Sequence, residues 1–150
     1  MLKVGTEAGG EARAPGAVRG VRITRRVTFA AGHVLRRPDW SLEQNRRVFG
    51  GCAGEHGHNY VLEVTVEGEP DPATGMVVNL KDLDRLVHEL IVDRVDHQQL
   101  NQVDFLRGTL PTAENLALAF WKELESKLEP ASLVRVRLQE TENNSAEVNR

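Results

Sequence analysis

Residues 60–67, YVLEVTVE, place the apolar Tyr60, Leu62, Val64 and Val66 at alternate positions, with the polar Glu63, Thr65 and Glu67 between and after them. Such alternation predicts a β-strand that buries one face and exposes the other. Residues 21–31, VRITRRVTFAA, alternate in the same way and place Val27, Phe29 and Ala31 on one face. The two segments therefore predict a pair of strands. The sequence GEPDPATG at 68–75 has the residues of turns and ends the second strand.

Two helices are predicted next. Asn79 can cap the first helix, and Thr112, which follows Pro111, can cap the second. Both segments carry apolar side chains at helical spacing, namely Leu80, Leu83, Leu86, Val87, Leu90 and Ile91 in the first and Leu116, Phe120, Leu124 and Leu128 in the second. Each apolar stripe predicts a helix that packs on a sheet.

The end of the chain predicts two further strands. Residues 133–140, LVRVRLQE, place Val134, Val136 and Leu138 on one face, and ENNS at 142–145 predicts a turn to a short last strand. The order β-β-α-α-β-β favours an α+β fold with an antiparallel four-stranded sheet. We expect one domain over residues 21–150, preceded by a flexible extension over the Gly- and Ala-rich residues 1–20.

Composition narrows the class of protein. The 150 residues are 27% charged with a net charge of −3, which favours neither nucleic acid nor a membrane surface as a partner. The single cysteine excludes an internal disulfide and favours a reducing compartment, so we expect a cytoplasmic protein. The segments described above contain no apolar run of membrane-spanning length.

Three histidines form a candidate metal site, although the two of the H-x-H pair can also be ordinary surface or hydrogen-bonded residues. If the first two strands pair as antiparallel neighbours, the end of the first, at His33, lies beside the start of the second, at His56. His56 and His58 are two positions apart, so they point to one face of a strand. Three imidazoles suit Zn²⁺ and leave a fourth position for water or substrate, which is the pattern of a catalytic site.

Cys52 has several possible roles. It can be a fourth ligand that closes a structural zinc site, a reactive thiol beside the metal, or a small buried apolar side chain. Its surroundings, FGGCAGEHGH at 49–58, contain four glycines and predict a loop. A loop cysteine near a cation can act as a base.

Four polar residues complete the candidate site. Asp96 can fix the tautomer of His97, although the pair can also be an ordinary helix end. Glu140 ends the apolar row of the third strand and is a candidate acceptor for two adjacent N–H donors of a ligand. Thr112 is a candidate substrate contact as well as a helix cap.

Six segments resemble, in order, the motifs of the 6-pyruvoyltetrahydropterin synthase and 6-carboxytetrahydropterin synthase family. They are FAAGH, CAGEHGHNY, DPATGMVVNLKDL, VDHQQLN, PTAENLA and QETENN. The resemblance implies a tunnelling fold, in which a four-stranded antiparallel sheet carries two helices on one face. It also implies a homohexamer, in which three sheets join into a barrel and two trimers stack.

The resemblance also implies roles for the candidate residues. The family binds Zn²⁺ through the residues at His33, His56 and His58. It uses a cysteine at the position of Cys52 as general base, and an acid/base pair that matches Asp96 and His97. Glu140 matches the glutamate that anchors the pterin ring. The implied substrate is 7,8-dihydroneopterin triphosphate, from which triphosphate is eliminated.

The sequence carries features of both product branches of the family. The four-residue step from Cys52 to His56 resembles the 6-carboxytetrahydropterin synthases of queuosine biosynthesis, which release acetaldehyde, and we put this product first. SLEQNRRVFG, TGMVVNL and ETENN resemble the pyruvoyl branch, which is the alternative. A third branch, which makes 6-hydroxymethyl-dihydropterin, replaces the cysteine with glutamate; Cys52 argues against this branch, although Glu55 nearby does not exclude it. A zinc hydrolase and a non-catalytic pterin-binding module are more remote alternatives for the function.

Overall fold

The computed structural model describes residues 20–150, so the predicted extension over 1–20 falls, except for Gly20, outside the described residues. The strands are β1 (Val21–His33), β2 (His56–Gly68), β3 (Gln98–Gln99), β4 (Ser132–Thr141) and β5 (Asn144–Asn149). The helices are α1 (Leu42–Phe49), α2 (Leu80–Val87), α3 (Asp93–Val95) and α4 (Ala113–Leu124), and a π-helical turn joins α2 to α3.

The strands form one sheet in the order β3-β1-β2-β4-β5. The four long strands pair antiparallel, which confirms the predicted α+β fold. The sheet is nevertheless not purely antiparallel, because the two residues of β3 pair parallel with β1. The chain that leaves α3 meets the open edge of β1 there, where the His97 N–H donates to the Ala30 carbonyl at 2.6 Å.

The core lies on one face of the sheet. Phe29 of β1 stacks on Tyr60 of β2 with ring centroids 4.9 Å apart, and Phe120 of α4 packs edge-on against Phe29 at 6.1 Å. Leu83 of α2 is fully buried in the same cluster. The alternation in β1 and β2 therefore buries the apolar face predicted from the sequence, beneath α2 and α4.

Both predicted helices begin at the N-cap residues that the sequence indicated. Asn79 accepts a hydrogen bond from the Lys81 N–H at 3.0 Å, and Thr112 accepts one from the Asn115 N–H at 3.2 Å. α1 was not predicted, because it has no apolar stripe: Asn45 is its one buried residue. Within residues 20–150, no helix combines the length and apolar character that crossing a membrane requires.

Candidate metal centre

The pairing of β1 with β2 brings the three histidines together. His33 lies directly opposite His56, and Ala31 lies opposite His58. The ring centroids of His33 and His56 are 4.5 Å apart, and those of His33 and His58 are 5.1 Å apart. One ligand nitrogen from each ring lies within 4.8 Å of the other two. The register predicted from the two strand ends is therefore correct.

Backbone carbonyls fix how two of the rings are oriented. His33 Nδ1 lies 2.8 Å from the Pro111 carbonyl oxygen, and His56 Nδ1 lies 2.8 Å from the Gly54 carbonyl oxygen. A neutral imidazole that donates from Nδ1 carries its lone pair on Nε2. Such hydrogen bonds are the usual support of a metal-binding histidine.

The three Nε2 atoms have no partner. Those of His33, His56 and His58 are buried and make no hydrogen bond within the described residues. A carboxylate oxygen of Glu140 lies 3.3 Å from the Nε2 atoms of both His33 and His58. The Nδ1 hydrogen bonds leave lone pairs on the Nε2 atoms of His33 and His56, which converge beside the Glu140 carboxylate, so this electron-rich arrangement suits a cation. Imidazole nitrogens in this number fit Zn²⁺.

Burial also favours the protonation state that binds a metal. The His33 side chain is fully buried, and desolvation lowers its pKa below the usual value, with smaller lowering from His56 and His58. The Pro111 carbonyl and Glu140 act in the opposite direction. His33 is therefore neutral at pH 7, with a free lone pair on Nε2.

Cys52 lies in a single 3₁₀ turn, Gly50–Ala53, just before β2. Its carbonyl accepts a hydrogen bond from the Leu35 N–H at 2.9 Å, which ties the loop to the chain after β1. The residue is exposed, so it is not the buried apolar side chain considered above. It does not belong to the cluster of ligand atoms, which consists of the three histidines. This geometry favours an open metal site over a closed one.

Asp96 and His97 lie at the edge of the sheet. Asp96 Oδ1 lies 3.0 Å from His97 Nδ1 and accepts a hydrogen bond from the Ala30 N–H at 2.9 Å. The Ala30 N–H is the main cause of the lowered pKa of Asp96. His97 has a φ of 58° and points into solvent, with 81% of its side chain exposed. Within residues 20–150, no hydrogen bond or ion pair joins this couple to the metal-site histidines. His97 and His58 both line a cavity of about 410 Å³.

Glu140 and Thr112 flank the other side of the centre. Glu140 lines a cavity of about 900 Å³ between α4 and β5, together with Ala113 and Glu114. Thr112 caps α4 and directly follows Pro111, whose carbonyl holds His33.

Sequence reasoning missed two supports of the site. The hydroxyl of the fully buried Tyr60 lies 3.4 Å from His33 Nδ1, and burial raises its pKa so that the phenol stays protonated. Tyr60 follows His58 by two positions, and that spacing could have placed it on the same face. The contact of the Pro111 carbonyl with His33 could not be predicted from a local pattern, because the two residues are 78 positions apart in the sequence.

Comparison with known proteins identifies the family. Residues 22–150 match the family model of 6-pyruvoyl tetrahydropterin synthase. The chain belongs to this family. It is 42% identical to the 6-pyruvoyl tetrahydrobiopterin synthase of Pongo abelii over 126 residues, which are 82% of this chain and 87% of that protein. It is 31% identical to the 6-carboxy-5,6,7,8-tetrahydropterin synthase of Rickettsia bellii over 85% of this chain and 99% of that protein.

The fold is that of the family as well. The solved structure of the Caenorhabditis elegans 6-pyruvoyl tetrahydropterin synthase is 36% identical to this chain, with a TM-score of 0.80 over 87% of this chain and 95% of that one. The predicted family and fold are thereby confirmed. The preference for the carboxy product is not supported, because the relative of higher identity carries the pyruvoyl name and the carboxy synthase is the more distant.

Proposed function

We propose that the protein is a zinc-dependent lyase that eliminates triphosphate from 7,8-dihydroneopterin triphosphate to give 6-pyruvoyl-tetrahydropterin. The observation that carries the proposal is the convergence of three buried, unpartnered Nε2 atoms in a member of this family. The choice of product follows the relative with 42% identity.

The proposal gives each group a task. His33, His56 and His58 hold the zinc, which when bound polarises the substrate's side-chain oxygens and makes the neighbouring C–H protons more acidic. Cys52 is exposed on a loop, four positions before His56, and it moves one of these protons. Asp96 fixes the tautomer of His97, which serves as the second acid/base group.

Glu140 and the cavity it lines are the proposed pterin site. A volume of about 900 Å³ suits a small-molecule ligand. The Glu140 carboxylate offers two oxygens to adjacent N–H donors of the ring, and its closeness to His33 and His58 brings the ring's substituents to the metal. Thr112 precedes the cavity-lining residues Ala113 and Glu114, and we propose it as a further substrate contact.

Glu140→Ala is expected to weaken substrate binding by roughly 10- to 100-fold while zinc content stays unchanged. The substitution leaves two ring donors without their acceptor, which costs roughly 1–3 kcal/mol. Titration with a pterin product analogue gives the Kd, and atomic absorption gives the metal content. Glu142→Ala, at an exposed position in the adjoining turn, is the matched control and should bind normally. Loss of zinc from Glu140→Ala would make Glu140 a metal ligand instead.

Product analysis tests the proposed reaction directly. With 7,8-dihydroneopterin triphosphate, the zinc-loaded protein should release triphosphate and a pterin that keeps all three side-chain carbons, detected by mass spectrometry. Release of acetaldehyde would favour the 6-carboxytetrahydropterin synthase, which the four-residue spacing of Cys52 and His56 supports. Binding without turnover would favour the non-catalytic module, and loss of phosphate alone would favour a zinc hydrolase.

We also propose that three copies join their sheets into a closed barrel and that two such trimers form a hexamer. Two observations support a shared sheet. Within residues 20–150, β5 ends the strand order at one side, and β1 is paired at its other side only at Ala31 and Gly32. Free sheet edges are templates for pairing with another chain, and pairing between copies is one way to protect them.

A further inference from the structure

The face of the sheet opposite the core carries two separate ion-pair networks. In the first, Arg135 lies 2.7 Å from Glu147 and 3.7 Å from Glu63, so the network runs across the sheet and ends at Glu147 on β5. In the second, Arg22 of β1 lies 2.6 Å from Glu67 of β2. Glu147 and Arg22 thus end the two networks with opposite charges at opposite edges of the sheet. Both are open to solvent, with 39% and 63% of their side chains exposed.

Both residues also have outward-facing backbone groups. The Arg150 N–H donates to the Val134 carbonyl of β4, so by alternation the backbone groups of Glu147 face away from β4. The backbone groups of Ala30 bond to Asp96 and His97, away from β2, so by the same alternation those of Arg22 face outward. Glu147 and Arg22 can therefore occupy one pair of an antiparallel ladder between two copies.

The direction of the strands fits such a ladder. Since β1, β2, β4 and β5 alternate in direction, β5 runs antiparallel to the β1 of a copy that continues the sheet. If the rows continued without stagger, Glu147 would meet Arg26, because Glu147, Arg137, Glu63 and Arg26 lie in one row across the four strands.

A closed barrel needs a stagger, because its strands tilt. In a barrel whose strands lie about 4.8 Å apart and tilt by about 36° from the barrel axis, crossing four strands shifts the row of paired residues along the strand direction. The shift is about 14 Å, or about four residues. The shift must run toward the start of β1, because β3 already covers the edge at Ala31 and Gly32. A shift of four residues from Arg26 reaches Arg22.

We propose that Glu147 pairs with Arg22 of a neighbouring copy and that this pair sets the register of the junction. The contact joins the two networks into one chain of alternating charges, Glu63–Arg135–Glu147 followed by Arg22–Glu67 of the neighbour. The inference rests on the barrel assembly proposed above. It identifies the side chains that select the register between copies.

Charge reversal tests the pair. Glu147→Arg and Arg22→Glu, each alone, should raise the subunit dissociation constant at least about tenfold, because each brings like charges together at the junction. The double variant should dissociate less readily than either single variant, because opposite charges again face each other at the junction, although each substitution also breaks an ion pair within its own chain. Light scattering over a dilution series gives the constants. Single variants that assemble normally, or a double variant no better than the singles, would overturn the pair.

Cysteine pairs test the register independently. In a Cys52→Ser background, Arg22→Cys with Glu147→Cys should form a disulfide between copies, because residues opposite in an antiparallel pair have Cα atoms about 5.5 Å apart. Arg26→Cys with Glu147→Cys is the matched control and should not. If the control pair cross-links, or if neither pair cross-links although the protein is assembled, the proposed register is wrong. The barrel proposal is unaffected by either result. An unmodified protein that is monomeric in light scattering overturns the barrel and the register together.

Discussion

His56→Ala is expected to release the zinc and to lower turnover of 7,8-dihydroneopterin triphosphate by at least about 10³-fold. His56 supplies one of three convergent Nε2 atoms, and its loss leaves two imidazoles to hold the ion. The metal stabilises developing negative charge by several kcal/mol, and each 1.4 kcal/mol is a factor of ten in rate. Zinc per chain, measured by atomic absorption, should fall from about one to near zero.

The control for this variant is His88→Ala. His88 is also a histidine, but it lies in the π-helical turn after α2 and contacts Asp84 and Asp93 at the surface. It should keep its zinc and full rate. Thermal unfolding of both variants without metal separates loss of the ion from loss of the fold. Full activity of metal-free protein, or an active His56→Ala variant, would refute the proposed metal chemistry.

The cluster of three histidines was predictable because it depends on local periodicity. Alternation in β1 and β2 defines the two strands, and antiparallel pairing of neighbours then places His33 opposite His56. The same spacing puts His58 on the shared face. Nothing beyond strand geometry was needed, and the apolar stripes of α2 and α4 were as easily found.

The rest of the site depends on contacts that no local pattern records. The Pro111 carbonyl reaches His33 through the loop before α4, and Asp96 reaches the Ala30 N–H through the end of α3. α1 is held by polar contacts, since the Asn45 side chain bonds the backbone of Arg37. Helix prediction from apolar spacing cannot find such an element.

The product illustrates a different limit. The four-residue spacing of Cys52 and His56 led the sequence analysis to the carboxy branch, whereas similarity over most of the chain favours the pyruvoyl branch. The spacing fixes only how a short 3₁₀ turn enters β2. The fate of the substrate side chain depends on groups around the whole cavity. One loop length is therefore weak evidence for a product.

Cys52→Ala is expected to keep zinc and substrate binding while kcat falls by about 10²–10⁴-fold, the usual contribution of a positioned proton-transfer group. The side chain is exposed and lies outside the cluster of ligand atoms, so its removal breaks no metal contact. The backbone of the loop should hold, because the bond from the Leu35 N–H uses the Cys52 carbonyl and not its thiol.

Three measurements on the same preparation make this prediction decisive: zinc per chain, substrate Kd and single-turnover rate. Cys52→Ser is the matched variant, because a hydroxyl fills the space of the thiol but is a far weaker acid and cannot supply the thiolate. Both variants should lose rate to a similar degree. Loss of zinc from Cys52→Ala would mean that the cysteine closes the site as a ligand. Retention of zinc and of full rate would remove Cys52 from the chemistry and favour a metal-bound hydroxide, and hence a hydrolase, over proton transfer by the protein.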